Sequence, residues 1–145
     1  MFLGAFSHSL DTESRLALPA RLRETAGEDF ADGLCLVCGA EPCILACSRG
    51  RLGELMRTLR ADPSISSTAA REFKRALGSR AAVVVPDRQG RILIPELLRE
   101  HAGIRKEVTV VGAVDSIEIW DTEKFRERQA VRDAAYERLA QRVLG

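Results

Sequence analysis

The sequence predicts an α+β fold built from two copies of one unit, and an internal repeat is the main reason. Residues 11–27 (DTESRLALPARLRETAG) and 87–103 (DRQGRILIPELLREHAG) are identical at eight of 17 positions at a constant offset of 76. The identical pairs are Asp11/Asp87, Arg15/Arg91, Pro19/Pro95, Leu22/Leu98, Arg23/Arg99, Glu24/Glu100, Ala26/Ala102 and Gly27/Gly103. Short apolar runs that flank a turn, and a proline and a glycine that bound a short helix, recur in both copies.

The second copy shows the pattern of each unit most clearly. Ala82–Val85 is apolar and rich in valine, which predicts a strand. Asp87–Gly90 is a predicted turn in which Gly90 is free to adopt positive φ. The return strand is Arg91–Ile94, and a helix opens at Pro95 and ends at Gly103. The first copy repeats these elements as Phe6–Leu10, Asp11–Ser14, Arg15–Leu18, Pro19 and Gly27.

A hairpin and a longer helix are predicted to complete each unit. The hairpins span Leu34–Cys47 and Val108–Trp120, with turns near Gly39 and Gly112. These glycines are related by an offset of 73, so we expect three extra residues in the first copy, within 28–33. The closing helices begin near Ser48 and Asp121, which are good N-cap residues.

The predicted boundaries divide the chain into three parts. The first repeat covers residues 1–60, a connecting turn and helix covers 61–79, and the second repeat with its C-terminal helix covers 80–145. The connecting helix is expected at Ser67–Leu77 and the last helix at Thr122–Leu144. The last helix is amphipathic and richly charged, which suits packing against a neighbour or exposure to solvent.

The composition is that of a globular protein, with 46% hydrophobic and 30% charged residues. The sequence has no apolar run of about 18 residues, so it predicts no transmembrane helix. The N-terminal residues do not resemble a signal peptide, and we therefore expect a cytosolic protein. The net charge is +1, from 22 basic and 21 acidic residues. A DNA-binding monomer is usually distinctly basic, so DNA binding would require local positive charge or a face multiplied by oligomerisation.

The repeated Asp-x-x-x-Arg motif combines a turn-forming residue with a cation. Asp11 and Asp87 can accept hydrogen bonds from the backbone two residues on and so fix each turn. Arg15 and Arg91 then begin the return strands, where a planar guanidinium suits bidentate contact with phosphate or a guanine edge. A purely structural turn with an Asp–Arg ion pair explains the same residues, and duplication alone does not decide between the two interpretations.

Both copies of the motif resemble the signature of the MraZ family of bacterial transcriptional regulators. The similar segments are His8–Asp11 with Arg15, Leu16, Pro19, Ala20 and Arg23; Asp87–Pro95 with Leu98, Arg99 and Gly103; and Ile117–Asp121. The resemblance covers essentially the whole chain. It implies an α+β fold, mainly a β-barrel with peripheral helices, made from two AbrB-like swapped-hairpin half-barrels.

The resemblance also implies a function and its partners. It predicts a ring-shaped homo-oligomer in the cytoplasm, associated with the nucleoid. Double-stranded DNA and further copies of the chain are the expected partners. The expected targets are short direct repeats upstream of the cell-division and cell-wall gene cluster. Several weak contacts from one ring would gain affinity through high effective concentration.

Carried over residue by residue, the resemblance makes Arg15 and Arg91 the main candidates for DNA contact. Arg88 is a candidate for an additional phosphate contact. Asp11, Asp87 and Gly90 are expected to structure the loops. Ser14 stands where the second copy has Gly90, which predicts a different geometry for the first turn. Glu13 replaces a residue that is commonly basic in the family, so the first loop either binds DNA more weakly or turns this carboxylate away.

Cys35, Cys38, Cys43 and Cys47 raise the possibility of a zinc site, because Cys-x-x-Cys is a common ligand spacing. If Gly39–Pro42 is the hairpin loop, Cys38 pairs with Cys43, and Leu34 pairs with Cys47. Cys35 would then point to the opposite face, and the four sulfurs would not converge. Small buried thiols are the favoured interpretation, and a redox pair between Cys38 and Cys43 is the alternative.

No catalytic motif is present, so the sequence predicts neither an enzyme nor a cofactor, a metal ion or a small-molecule substrate. His8 and His101 lack metal-ligand spacing, and Trp120 is expected in the core or an interface. There is no nucleophile elbow and no phosphate-binding loop. The alternative to a DNA-binding regulator is an oligomeric protein-interaction module, either a scaffold or antitoxin-like, because fold alone does not determine function.

Overall fold

A computed structural model describes residues 1–30 and 33–145 of the chain. The described residues form eight β-strands, six α-helices and one 3₁₀ turn. The strands are β1 (Phe2–Ser9), β2 (Arg15–Ala17), β3 (Leu34–Cys38), β4 (Ile44–Cys47), β5 (Ala82–Val84), β6 (Arg91–Leu93), β7 (Glu107–Val114) and β8 (Ile117–Asp121). The helices are α1 (Ala20–Ala26), α2 (Arg49–Ala61), α3 (Ser67–Arg80), α4 (Glu96–Ala102), α5 (Thr122–Glu127) and α6 (Gln129–Leu144), and the 3₁₀ turn is Gly27–Phe30.

Six strands form one antiparallel sheet in the order β1-β7-β8-β4-β3-β5, and β2 and β6 form a separate antiparallel pair. The hairpins are exchanged between the copies, because β1 pairs with β7 and β5 pairs with β3. The pairing of β4 with β8 joins the two hairpins at the centre of the sheet. The predicted α+β class with swapped hairpins is therefore confirmed, with a six-stranded sheet that is open at β1 and β5.

The short helices α1 and α4 form in equivalent places for the same reason. Each follows a proline at its N-cap, with ψ of 132° at Pro19 and 150° at Pro95, and each buries a leucine and an alanine one turn apart. Gly103 ends α4 in the left-handed conformation, with φ of 65° and ψ of 29°. Gly27 ends α1 differently, with φ of 51° and ψ of −128°, and leads into the 3₁₀ turn. The extra residues expected within 28–33 fall at this point, and residues 31 and 32 lie outside the described part of the chain.

One hydrophobic core unites the two copies. Its largest fully buried side chains are Leu16, Leu22, Leu34, Leu36, Ile44, Ile92, Ile94, Leu98, Ile117, Ile119 and Val108. Leu16 and Ile92 are 0% exposed and lie directly opposite each other in the β2–β6 pair. Burial of each such side chain contributes about 1.5–3 kcal/mol, so the strands that follow the two turns are anchored in the core.

Four predicted element positions were wrong. The second hairpin turns at 115–116 and not near Gly112, because β7 continues to Val114 and Gly112 pairs with Ile117. Strand β1 begins at Phe2, not Phe6, because the whole segment Phe2–Ser9 pairs with β7. The connecting helix α3 extends to Arg80. The expected single C-terminal helix is divided into α5 and α6 at Arg128, whose φ of −94° and ψ of 10° interrupt the helix.

Helix α6 has no buried residue among those described, although it carries large apolar side chains. Val131, Tyr136 and Val143 are 61%, 67% and 75% exposed. A shallow apolar surface on this helix is lined by Arg132, Ala135, Tyr136, Leu139, Ala140, Val143 and Leu144. Within the described residues, no helix is both long enough and apolar enough to cross a membrane.

Candidate nucleic-acid interface

The two motif turns lie at opposite ends of the antiparallel β2–β6 pair, where each turn contacts the strand end of the other copy. The N–H of Leu18 donates to the carbonyl oxygen of Gly90 at 3.0 Å, and the N–H of Ile94 donates to that of Ser14 at 3.0 Å. These reciprocal bonds relate the two copies by an approximate twofold axis. Arg91 Nη1 also lies 3.7 Å from Asp11 Oδ2, so charged side chains of the two turns meet across the pair.

Asp87 organises the second turn through both carboxylate oxygens. Its Oδ1 accepts from the N–H groups of Gln89 and Arg91, each at 2.9 Å, and its Oδ2 accepts from Arg91 Nε at 2.9 Å. The N–H of Gly90 donates to the Asp87 carbonyl oxygen at 2.9 Å and closes the turn. One aspartate thus holds both the backbone of the turn and the arginine that follows it.

Asp11 organises the first turn in the same way. Its Oδ1 accepts from the N–H groups of Glu13 and Arg15 at 2.9 Å, and its Oδ2 accepts from Arg15 Nε at 3.0 Å. The N–H of Ser14 donates to the Asp11 carbonyl oxygen at 3.0 Å. The expectation that Ser14 would change the geometry was wrong, since its φ of 62° matches the 76° of Gly90.

These hydrogen bonds favour the charged form of both aspartates. The N–H of Arg15 is the main cause that lowers the pKa of Asp11, against a smaller opposing effect of desolvation. The N–H of Arg91 lowers the pKa of Asp87 in the same way. Both carboxylates are therefore ionised at neutral pH and place negative charge beside the motif arginines.

The motif arginines are half-buried and ion-paired. Arg15 contacts Asp11 through Nε at 3.0 Å and Glu13 through Nη2 at 3.4 Å. Arg91 contacts Asp87 through Nε at 2.9 Å and, across the two copies, Asp11 through Nη1 at 3.7 Å. Glu13 thus faces Arg15 and does not turn away. Any phosphate or base that binds these arginines must compete with carboxylates.

Arg88 and Arg23 differ from the motif arginines in their surroundings. Both are exposed, and neither forms an ion pair with a described residue. Arg23 donates from Nε to the carbonyl oxygen of Leu18 at 3.1 Å, as Arg99 donates to that of Ile94 at 3.0 Å. Arg23 was not predicted as a site residue, although its identity with Arg99 in the repeat was a signal that could have identified it.

The cysteine hairpin has a different register from the predicted one. Cys38 lies opposite Ile44, and Cys35 lies opposite Cys47. The predicted pairs, Cys38 with Cys43 and Leu34 with Cys47, were wrong by one residue, because Gly39 N–H bonds to the Cys43 carbonyl oxygen and shortens the loop. Since side chains alternate, Cys35 and Cys47 share one face and Cys38 lies on the other, so the four sulfurs do not converge.

Three of these thiols are buried, and burial raises the pKa of each. Burial raises the pKa of Cys43 to about 12, with a further contribution from Glu118 and Glu41, and raises the pKa of Cys47 to about 11. Burial also raises the pKa of Cys35. Among the described residues, Glu41, Cys43 and Glu118 form the one group of possible metal ligands whose ligand atoms lie within 4.8 Å of one another.

His101 and Trp120, two other residues that the sequence singled out, have structural contacts. His101 Nε2 lies 3.2 Å from the carbonyl oxygens of Gly39 and Glu41, which ties α4 to the first hairpin. Trp120 is 4% exposed, packs 5.9 Å from the Phe125 ring and lies beneath the Arg128 guanidinium. The expected burial of Trp120 is confirmed.

Comparison with known proteins identifies the family of the chain. A family model described as "MraZ protein, putative antitoxin-like" matches residues 1–76 and 79–143. A transcriptional regulator MraZ of Micrococcus luteus is 40% identical over 144 residues, which cover 99% of this chain and 97% of that protein. One from Paenarthrobacter aurescens is 40% identical over 136 residues, covering 94% and 92%. One from Clostridium botulinum is 39% identical over 125 residues, covering 86% and 84%. The chain therefore belongs to the MraZ family.

Proposed function

We propose that this protein is a sequence-specific DNA-binding transcriptional regulator. Its targets would be tandem promoter repeats, with the cell-division and cell-wall gene cluster as the expected site. The relatives are named as transcriptional regulators, and that name describes no catalytic reaction. Such a regulator would act in the cytoplasm on the nucleoid.

The pairing of β2 and β6, the strands that follow the two motif turns, is the observation that carries this proposal. It places Arg15 and Arg91 near the approximate twofold axis, on strands held by the buried Leu16–Ile92 pair. A rigid support fixes the spacing between two guanidinium groups, and fixed spacing is what recognition of a duplex requires. Arg15, Arg91 and Arg88 are the proposed DNA contacts, and Asp11, Asp87 and Gly90 are the proposed loop-structuring residues.

The ion pairs of Arg15 and Arg91 reduce the free energy that these arginines can contribute to DNA binding. When DNA enters, Arg15 and Arg91 exchange part of their carboxylate contacts for phosphate or base contacts. The net gain per arginine is therefore modest, because a charged hydrogen bond is replaced and not simply added. Repulsion between the carboxylates and phosphates further penalises poorly aligned DNA, which favours specificity over affinity.

Modest contacts are sufficient if several copies bind together. We propose a ring-shaped homo-oligomer, which would present one pair of turns per subunit along tandem repeats. The exposed apolar side chains of α6 and the net charge of only +1 support assembly. Linked contacts then raise the overall affinity through effective concentration.

Chromatin immunoprecipitation with sequencing tests the proposal in cells. An epitope-tagged wild-type protein is compared with the Arg15→Ala/Arg91→Ala double variant at equal abundance. We expect wild-type enrichment at a promoter with direct repeats, and loss of that enrichment in the double variant. The absence of any enriched site for the wild type would contradict the proposed function.

An oligomeric protein-interaction module is the second candidate. The ion-paired state of Arg15 and Arg91 and the exposed apolar surface of α6 favour it. Under this alternative, Arg15→Ala/Arg91→Ala leaves the cellular function intact, whereas polar substitutions on α6 abolish it. The two candidates therefore predict opposite effects for the Arg15→Ala/Arg91→Ala variant, whereas substitutions on α6 impair function under both.

A further inference from the structure

The guanidinium group of Arg23 lies against the turn of the other copy. A β-carbon at position 90 would lie 2.6 Å from Arg23 Cζ and Nε and 2.9 Å from Nη1. Gly90 is buried and has a φ of 76°. Because glycine has no side chain, the Arg23 guanidinium of the first copy can pack directly against the backbone at position 90.

Arg23 is held by one hydrogen bond and keeps most of its donors available. Nε donates to the Leu18 carbonyl oxygen at 3.1 Å, and no described residue forms an ion pair with the guanidinium. The two terminal nitrogens carry N–H groups in the fork geometry that matches two phosphate oxygens. Because Nε is fixed, less side-chain entropy is lost when an anion binds.

Arg88 provides a second unneutralised cation at the same turn. It is exposed, lies two residues before Gly90 and forms no ion pair with the described residues. The turn at Gly90 therefore has two arginines without a carboxylate partner among the described residues, Arg23 from the first copy and Arg88 from the second. This pairing differs from Arg91, which has Asp87 and Asp11 as partners.

The first turn lacks this arrangement. Thr12 stands where the second copy has Arg88, and Ser14 carries a side chain where the second copy has Gly90. Glu13 adds a carboxylate, and Arg99, the counterpart of Arg23, is only partly exposed. The approximate twofold symmetry of the backbone is therefore not matched by the distribution of charge.

We propose that Arg23 and Arg88 together form a phosphate-binding site of duplex DNA at the Gly90 turn, with one arginine from each copy. The site is specific to the second turn, so each subunit binds the DNA backbone asymmetrically. This inference rests on the proposed function. Arg15 and Arg91, which are paired with carboxylates, contact the bases, and the free pair positions the protein on the backbone.

Salt-dependent fluorescence anisotropy tests the site. The probe is a labelled duplex with the promoter fragment upstream of the cell-division and cell-wall gene cluster, titrated with full-length protein between 50 and 200 mM salt, a range of roughly fourfold. Affinity falls as salt rises, and we expect Arg23→Gln and Arg88→Gln each to make this slope of log affinity against log salt shallower by about 1 for every subunit that contacts the DNA. The reduction should be the same for all DNA sequences, because a phosphate contact does not read the bases. Arg23→Lys should retain the wild-type slope, because it keeps the charge.

Matched controls separate binding from folding. Arg99→Gln removes the equivalent arginine and its carbonyl contact, and Arg21→Gln removes an exposed charge from the same helix as Arg23. Both should keep the wild-type slope, even if Arg99→Gln lowers the thermal midpoint. A wild-type slope for Arg23→Gln, or an equal loss for Arg99→Gln, would overturn the inference while leaving DNA binding intact. Failure of the wild type to bind any duplex would overturn both the inference and the proposed function.

Discussion

Ser14 and Gly90 occupy equivalent left-handed positions, with φ of 62° and 76°, although only one of them is a glycine. Their carbonyl oxygens accept reciprocal hydrogen bonds from Ile94 and Leu18, each at 3.0 Å. The fold therefore requires the same backbone conformation at both turns, and at position 14 a serine adopts it despite the steric strain. An L-residue in this conformation costs about 1–2 kcal/mol relative to glycine.

Substitution at these two turns should have opposite effects on stability. Ser14→Gly relieves the steric cost but gains chain entropy in the unfolded state, so we expect a net stabilisation of about 0.5–1 kcal/mol. Gly90→Ser should destabilise by about 1–2 kcal/mol and displace the Arg23 guanidinium. Chemical denaturation measures both, and a destabilising Ser14→Gly would show that the serine side chain has a stabilising role.

Acid should weaken the fold through the two motif aspartates. Their folded pKa values are lowered, so their contribution is fully present above the unfolded value near 3.8 and is lost as pH falls through the folded values. We expect the Asp11→Asn/Asp87→Asn variant to lose less stability than the wild type in that acidic range. Urea midpoints between about pH 2 and pH 6 provide the measurement. Parallel pH profiles for the two proteins would contradict the assignment.

Cysteine reactivity in the native protein should follow burial. We expect Cys38 to be alkylated first, because Cys35, Cys43 and Cys47 are buried and their pKa values are raised. Iodoacetamide labelling followed by peptide mass spectrometry gives the order, and all four thiols should react after denaturation. Rapid native labelling of Cys43 would show that this hairpin opens or packs differently.

Assembly should depend on the apolar surface of α6. We expect Tyr136→Glu/Leu139→Glu to reduce the mass of the oligomer, because it places charge among exposed apolar side chains. Ala134→Glu, which lies about half a turn around the helix from Val143, is the matched control and should keep the wild-type mass. Native mass spectrometry reads the result directly. An unchanged mass for the double variant would exclude α6 from the assembly contact.

The repeat predicts much of the fold because it locates local signals twice. Pro19 and Pro95 mark the helix starts, and Gly27 and Gly103 mark the ends, so the short helices were found in both copies. Their exact ends differ by a residue or two, as expected where a proline serves as the N-cap. The exchange of hairpins came only from family resemblance, since no local pattern specifies a partner strand.

The errors arose where distant contacts decide the structure. The length of β1 is set by its pairing with β7. No residue within Phe2–Ala5 indicates this pairing in the sequence. The cysteine register depends on one loop hydrogen bond between Gly39 and Cys43, and a slip of one residue exchanges the two faces of a strand. The break at Arg128 coincides with its contact over the Trp120 ring, a tertiary interaction without a glycine or proline signal.

The candidate site was only partly accessible from the sequence. The motif identified Asp11, Arg15, Asp87 and Arg91, but it could not show that both arginines are ion-paired. Arg23 is repeated as Arg99, and the structure distinguishes the two by exposure, since Arg23 is exposed and Arg99 is half-buried. The repeated sequence therefore did not indicate that the charged groups differ between the two turns.

The most direct test of the central claim is a binding titration with the motif arginines removed. Purified wild-type protein, Arg15→Ala/Arg91→Ala and the control Arg60→Ala are titrated against the promoter duplex and a scrambled duplex of equal length. The wild type and Arg60→Ala should prefer the promoter duplex, and the double variant should lose at least about 1–3 kcal/mol of binding free energy together with that preference. Wild-type affinity and preference in a correctly folded double variant would contradict the account.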